Sequence, residues 1–203
     1  MKIKQLLTDR DFVQRHLEDL HNLLDQPNTQ EARPCLDCQE ICPDCGSNTC
    51  SCRCTPRCEM AAKQLSSDGH RYPIENKILP LVFELNTLRV CQPCWSCEGH
   101  SSNENEVKKI PRVWFYSRSL IYPRLISDYL QGLLFEKKIH YPWHICVTFS
   151  PVENIDTSFS IEPNLNFINH PQLNHLQNDV NTIANSLVNS IKRAAENHLK
   201  QHQ

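Results

Sequence analysis

The sequence predicts an α+β fold, in which one antiparallel sheet carries helices on one face and a cysteine-rich metal-binding segment precedes it. Apolar residues recur at helical spacing in four segments, and the strand candidates come in two consecutive pairs, each preceded by a helix. Eight of the twelve cysteines lie between residues 35 and 58. The predicted organisation is an N-terminal helix over 1–30, the cysteine-rich segment over 31–60, and an α+β domain with a long C-terminal helix over 61–203.

The N-terminal helix is predicted over residues 8–25. Val13, Leu17, Leu20 and Leu24 form one apolar stripe, and Pro27 closes the segment. This stripe favours packing against the main domain, with a dimer interface as the alternative. The next helix is expected near residues 74–88, where an internal proline should delay its start or kink it.

The strand candidates are residues 90–97, 112–117, 144–150 and 157–162, the last two of which should pair as neighbours. Trp114, Phe115 and Tyr116 are consecutive, so the sheet should bury one face. Core packing is the favoured role of these aromatic residues, with stacking of a bound group on the other face as the alternative. Two further helices are predicted over residues 119–138 and 171–200. The second is long and has one continuous apolar stripe, with Asn169 or His170 as its expected cap.

The segment 35–58 cannot fold by burying apolar surface, because Leu36 and Ile41 are its only sizeable apolar side chains. In a reducing compartment a metal ion most often orders such a segment. Its C-x-x-C pairs suit one tetrahedral zinc ion, and its C-x-C pairs place two thiolates on one side of an extended chain. Eight thiolates match about two zinc ions with four ligands each. The predicted ligands are Cys35, Cys38, Cys42, Cys45, Cys50, Cys52, Cys54 and Cys58.

An iron–sulfur cluster is the less favoured cofactor for this segment. The spacing of Cys38, Cys42 and Cys45 matches that of radical-SAM proteins, but Asp44 stands where an aromatic residue is usual. The run from Cys38 to Pro43 also matches the end of a bacterial ferredoxin motif, without the cysteines that precede it there. Zinc therefore remains the predicted metal.

Residues 91–100 read CQPCWSCEGH and form a second candidate metal site. Cys94, Cys97 and His100 would be its ligands, with Cys91 as a fourth, because three cysteines and one histidine are a common zinc ligand set. Closing such a site within ten residues requires a tight wrap that a strand would not make. The structural alternative is a strand that ends in a turn, with Cys91 and Trp95 buried in the core.

A catalytic alternative uses the same stretch. Cys97 would be a nucleophile and His100 or Glu98 its base. His70 and His144 are further candidates, although either fits an ordinary surface or core position equally well.

Composition and charge predict a cytosolic protein. The formal net charge is −2 and the pI about 6.5, so no overall basic field indicates nucleic acid, and no apolar run suits a membrane span. Charged residues interrupt the first twenty residues, where a signal peptide would need an apolar core. The four glycines allow neither G-x-G-x-x-G nor a P-loop motif. The expected partner is a protein; scattered basic residues make nucleic acid a secondary alternative, and no membrane partner is expected.

Several short segments between residues 65 and 163 carry a resemblance to other proteins. They are LSSDGHRYPIE, LVFEL, QPCWSCEGH, PRVWFY, VTFS and TSFSIEP, of which QPCWSCEGH is the most specific. Through them the chain resembles a group of uncharacterised bacterial proteins without an established activity. The resemblance implies a bacterial protein with Cys94, Cys97, Glu98 and His100 as its marked site, and it implies no reaction.

These patterns together predict a zinc-binding cytosolic protein that acts as an interaction or regulatory module. The first alternative is a metal-handling protein that stores or transfers metal ions. The second is an enzyme that uses a Cys/Glu/His site at residues 94–100.

Overall fold

The computed structural model of the chain describes residues 10–26, 65–102, 106–148, 157–167 and 170–201. The cysteine-rich segment predicted over residues 31–60, with its eight proposed zinc ligands, lies outside the described residues. Within the described ranges the chain forms four α-helices, four strands and one short 3-10 helix, and this arrangement confirms the α+β fold. The helices are α1 (Arg10–Leu24), α2 (Leu79–Leu88), α3 (Ile121–Phe135) and α4 (Leu173–Lys200), and the strands are β1 (Gln92–Ser101), β2 (Val107–Ser117), β3 (Trp143–Thr148) and β4 (Thr157–Pro163).

The four strands form one antiparallel sheet in the order β1-β2-β4-β3. Phe115 of β2 lies opposite Phe159 of β4, and Ile161 of β4 lies opposite Ile145 of β3. Because residues directly opposite each other share one face, these side chains form a continuous apolar face, which the helices cover. The predicted pairing of the third and fourth strands is confirmed.

Helix α4 is the centre of the helical layer. It contacts α1, α2 and α3 as well as β1 and β2. Its apolar stripe is buried as the spacing predicted, because residues three and four apart share one face of a helix. The helix begins at Leu173, with Gln172 at the N-cap position and no side-chain hydrogen bond there, so the cap expected at His170 is wrong. The alternative cap, Asn169, lies outside the described residues. The buried stripe comprises Leu176, Val180, Ile183, Leu187 and Ile191.

Helix α1 packs on the main domain, as its apolar stripe predicted. Leu20 and Leu23 are fully buried, and the Tyr122 hydroxyl of α3 donates a 2.8 Å hydrogen bond to the carbonyl of Asp19. Helix α2 begins at Leu79, later than residue 74, with Pro80 in its first turn, where the missing N–H costs no helical hydrogen bond. In the described part of the chain, no helix combines the length and hydrophobicity needed to cross a bilayer.

The sheet face that points away from the helices is polar and partly exposed, and we call it the open face. Arg112 and Trp114 of β2 point to it, since they alternate with the buried Val113 and Phe115. Trp95 of β1 lies opposite Trp114, with ring centroids 5.1 Å apart, and is 48% exposed. The expectation that Trp95 is a core residue is therefore wrong, because it lies on the open face.

Candidate metal site

The residues singled out in QPCWSCEGH lie on β1, which is an edge strand of the sheet. An open cleft of about 810 Å³ lies between this strand and the segment that precedes α2. Its walls include Tyr72 and Glu75 from the preceding segment, Trp95, Cys97 and His100 from β1, and Lys109 from β2.

Three side chains of types that can bind a metal ion converge on this cleft. One ligand atom each from Glu75, Cys97 and His100 lies within 4.8 Å of the other two. Oε1 of Glu75 is 3.1 Å from Nε2 of His100. Cys97 is 6% exposed, whereas the side chains of Glu75 and His100 are 38% and 46% exposed. Cys97 is therefore the buried member of the group, whereas Glu75 and His100 are open to the solvent in the cleft.

Backbone hydrogen bonds hold Glu75 in place. Its second oxygen, Oε2, accepts a 2.7 Å hydrogen bond from the N–H of Glu98. The carboxylate of Glu98 in turn accepts a 2.8 Å bond from the N–H of Lys77, and its carbonyl accepts one from Nε2 of Gln177. These side chains satisfy backbone groups along the free edge of β1 and position Glu75 beside His100.

Gly99 explains how Cys97 and His100 reach the same site. In a regular strand, residues three apart point to opposite faces. Gly99, which lies between the two residues, has a φ of +83°, a conformation that suits glycine and departs from that of a regular strand. This irregularity breaks the alternation, and a side chain at position 99 would collide with Leu173, Pro111 and the backbone of Lys109.

The structure brings together Cys97 and His100, two of the three residues predicted for this second metal site. Cys94 lies outside the group: it is exposed, and its thiol interacts with the side chain of Tyr116 and the backbone of Trp95. Cys91 is fully buried, and this burial raises the pKa of its thiol. Cys91 therefore has the place in the core that the structural alternative gave it.

Glu75 is the member of the group that sequence reasoning missed. It lies far from QPCWSCEGH in the chain, and only its position at the end of LSSDGHRYPIE, one of the segments that carry the resemblance, marked it. Glu98 was predicted as a base, but its carboxylate is engaged with the backbone of Lys77. His70 lies exposed in the turn that begins at Leu65.

The donor set fits zinc. Thiolate sulfur, imidazole nitrogen and carboxylate oxygen are the three ligand types that Zn²⁺ takes in proteins. Nitrogen and oxygen ligands about 2.0–2.1 Å from a tetrahedral ion lie roughly 3.3 Å apart, close to the observed Glu75–His100 separation. With three protein ligands, the fourth position would belong to water or to a bound molecule.

The same three residues also have the types that nucleophilic catalysis requires. Cys97 would be the nucleophile, His100 the base and Glu75 the carboxylate that orients the imidazole. The burial of Cys97 argues against this use, because a nucleophile has to be reached by its substrate.

Comparisons with protein-family models, with curated proteins and with solved structures gave no match to this chain. The resemblance to bacterial proteins that share QPCWSCEGH therefore stays a prediction.

Proposed function

We propose that the chain is a zinc-binding protein in which Glu75, Cys97 and His100 hold one zinc ion at the wall of the cleft. The convergence of these three ligand atoms within 4.8 Å carries the proposal. The two zinc ions expected in the segment 35–58 remain a prediction from the sequence, as does the cytosolic location.

The proposed role of this zinc is to shape a binding surface, as in an interaction or regulatory module. Glu75 belongs to the segment before α2, whereas Cys97 and His100 belong to β1. An ion bound to all three would cross-link these two walls of the cleft and would fix their spacing. A protein partner that binds in the cleft would then bind the zinc-loaded form more tightly, since the walls are already ordered.

An enzyme is the second candidate, and the ligand number favours it. Three protein ligands and a fourth position facing a cleft are typical of catalytic zinc, whereas structural zinc sites have four protein ligands. In that case Glu75, Cys97 and His100 would keep the same roles as ligands, and a bound zinc would supply an activated water. Metal storage or transfer would instead require an ion that exchanges readily.

Elemental analysis of the full-length chain tests the zinc site. Cys97→Ser is expected to lower the zinc content by about one ion per chain, since one of three ligands is lost. Cys94→Ser is the matched control, because Cys94 is on the same strand but outside the group. Any zinc in the segment 35–58 is common to both variants and cancels in the difference. Equal zinc contents would overturn the proposal.

Amide hydrogen exchange tests the proposed role of the zinc. Zinc is expected to slow exchange in residues 65–78 and in β1 of the wild type, and His100→Ala is expected to abolish this change. If zinc binds without altering exchange on either wall of the cleft, the ion does not shape the surface.

A further inference from the structure

We propose a second metal site, formed by His144, Cys146 and Glu162 on the open face, that takes one divalent cation of the zinc type. One ligand atom from each residue lies within 4.8 Å of the other two. This site is independent of the Glu75–Cys97–His100 site, and it does not depend on the function proposed above.

Strand geometry brings the three side chains together. His144 and Cys146 are two apart on β3, so both point to one face of the sheet, and Glu162 of β4 lies directly opposite His144. Between them Ile145 packs against the core on the other face. The ligands therefore project from the open face.

The distances suit a tetrahedral ion after a small adjustment. Nε2 of His144 is 3.2 Å from Sγ of Cys146. A sulfur at about 2.3 Å and a nitrogen at about 2.0–2.1 Å from zinc lie roughly 3.5 Å apart, so the pair has to widen by only about 0.3 Å. All three residues are half-buried, which leaves a fourth position towards solvent.

Two neighbours orient the carboxylate of Glu162. The hydroxyl of Ser160 donates a 2.7 Å hydrogen bond to Oε2, and Nη1 of Arg112 lies 3.7 Å from the same oxygen. Hydrogen bonds of this kind commonly fix the carboxylates that bind metals. Since both contacts involve Oε2, we assign Oε1 as the ligand atom.

The charges of the three ligands match those of a divalent cation, and Arg112 beside Glu162 adds one further positive charge. A thiolate at Cys146 and the carboxylate of Glu162 together neutralise a divalent cation, and His144 binds as a neutral imidazole. Thiolate and imidazole favour zinc over magnesium or calcium, which prefer oxygen ligands. The site therefore favours a metal ion of borderline softness, such as zinc.

The two groups are too far apart to share one metal cluster. Cys97 is on β1 and Cys146 is on β3, and the sheet order places three interstrand steps between these strands. At about 4.8 Å a step the separation is roughly 14 Å, whereas two-metal centres need about 3.5–4 Å. Each ion would therefore bind and exchange separately.

Alkylation of individual cysteines in the full-length chain tests the second site. Cys146 is the only cysteine between Lys138 and Lys192, so one tryptic peptide reports it alone. The chain is reduced, stripped of metal with a chelator and treated with iodoacetamide with or without Zn²⁺. Zinc is expected to slow alkylation of Cys146 about tenfold or more, because the metal occupies the sulfur lone pair that attacks the reagent.

Two variants show whether the protection comes from this group. Glu162→Gln and His144→Ala are each expected to abolish it, and circular dichroism confirms that both variants fold. Cys94 is the internal control in the Cys97→Ser variant, because the first zinc site is then removed and zinc should leave the alkylation rate of Cys94 unchanged. Cys97→Ser should leave the protection of Cys146 intact, which separates this test from that of the first site.

Either of two results would overturn the proposal. The first is an unchanged alkylation rate at Cys146 in the wild type when zinc is added. The second is protection that survives in the folded His144→Ala and Glu162→Gln variants, because zinc bound elsewhere would then be shielding the thiol.

Discussion

The carboxylate of Glu75 lies 3.1 Å from the imidazole of His100, although the two residues belong to different elements of the chain. The other carboxylate oxygen accepts the N–H of Glu98. The side chain of Glu75 therefore accepts a backbone N–H at the free edge of β1 and also presents its other oxygen to the site. These two roles can be separated by mutation.

We predict that Glu75→Ala frees the backbone N–H of Glu98, whereas Glu75→Gln keeps it bonded. The glutamine carbonyl still accepts a hydrogen bond, while alanine leaves the N–H without this acceptor, at a cost of about 1 kcal/mol. Amide hydrogen exchange at Glu98 measures the difference, with faster exchange expected for the alanine variant alone. Both variants should bind zinc more weakly, because an amide oxygen is a poorer zinc ligand than a carboxylate. Equal exchange at Glu98 in the two variants would contradict the assigned hydrogen bond.

Gly99 and Gly132 are predicted to respond oppositely to alanine. A Cβ at position 99 would lie 2.8 Å from Cδ1 of Leu173, 2.9 Å from Cδ of Pro111 and 3.0 Å from the carbonyl oxygen of Lys109. With the positive φ, Gly99→Ala should lower the free energy of unfolding by about 1–3 kcal/mol. Gly132 lies inside α3 with open space where a Cβ would lie, so Gly132→Ala should raise it by about 0.5–1 kcal/mol. Urea denaturation measures both, and a neutral Gly99→Ala variant would contradict the close contacts expected for a Cβ at position 99.

Asp179 is predicted to be essential for attaching α4 to the start of β3. Its fully buried carboxylate accepts hydrogen bonds from the N–H groups of His140 and Tyr141 and from Nε1 of Trp143, and it lies 2.7 Å from Nδ1 of His140. Asp179→Ala leaves the buried indole N–H of Trp143 and the part-buried N–H groups of His140 and Tyr141 without their acceptor, and it should lower the free energy of unfolding by about 3 kcal/mol. Asp128→Ala on the exposed side of α3 is the control and should change it by less than about 0.5 kcal/mol. Similar losses in the two variants would contradict the role of Asp179.

The stability of the protein is predicted to fall between about pH 10 and 12 through Tyr129. Its hydroxyl donates a 2.7 Å hydrogen bond to the carbonyl of Ile183, and burial, as the largest cause, raises its pKa from 10.0 to about 12. The folded chain therefore holds this proton up to a higher pH than the unfolded chain does. Unfolding releases the proton between these values, so the stabilisation is complete below the lower pKa and is lost as the pH rises through the higher one.

The variant Tyr129→Phe tests this assignment. It cannot ionise, so its free energy of unfolding should fall less steeply between about pH 10 and 12 than that of the wild type. At neutral pH it should be less stable by about 1 kcal/mol, since the hydrogen bond to Ile183 is lost. The exposed Tyr72 supplies the control variant Tyr72→Phe, which should follow the wild type. Urea denaturation across this pH range gives the slopes, and equal slopes for Tyr129→Phe and the wild type would refute the prediction.

Local periodicity was sufficient to predict most elements of the fold. The stripe on α4 repeats every three or four residues, and the alternation in β4 repeats every two, so each pattern specifies both the element and its buried face. The start of α4 was located less well, because Gln172 precedes it without a side-chain hydrogen bond and so without a sequence signature. Trp95 was misassigned because a strand pattern alone does not say which face of the sheet the helices cover.

By itself, the sequence determined the α+β class, the order of the elements and the presence in QPCWSCEGH of residue types that can bind a metal ion. Only the tertiary structure decided which of these residues meet. Glu75 joins Cys97 and His100 because backbone hydrogen bonds hold it at the edge of β1 and because Gly99 turns His100 out of the strand alternation. His144, Cys146 and Glu162 meet because β3 and β4 pair in one register. Convergence of this kind depends on strand register and on contacts between distant parts of the chain. The spacing of residues along a sequence specifies neither the register nor these contacts.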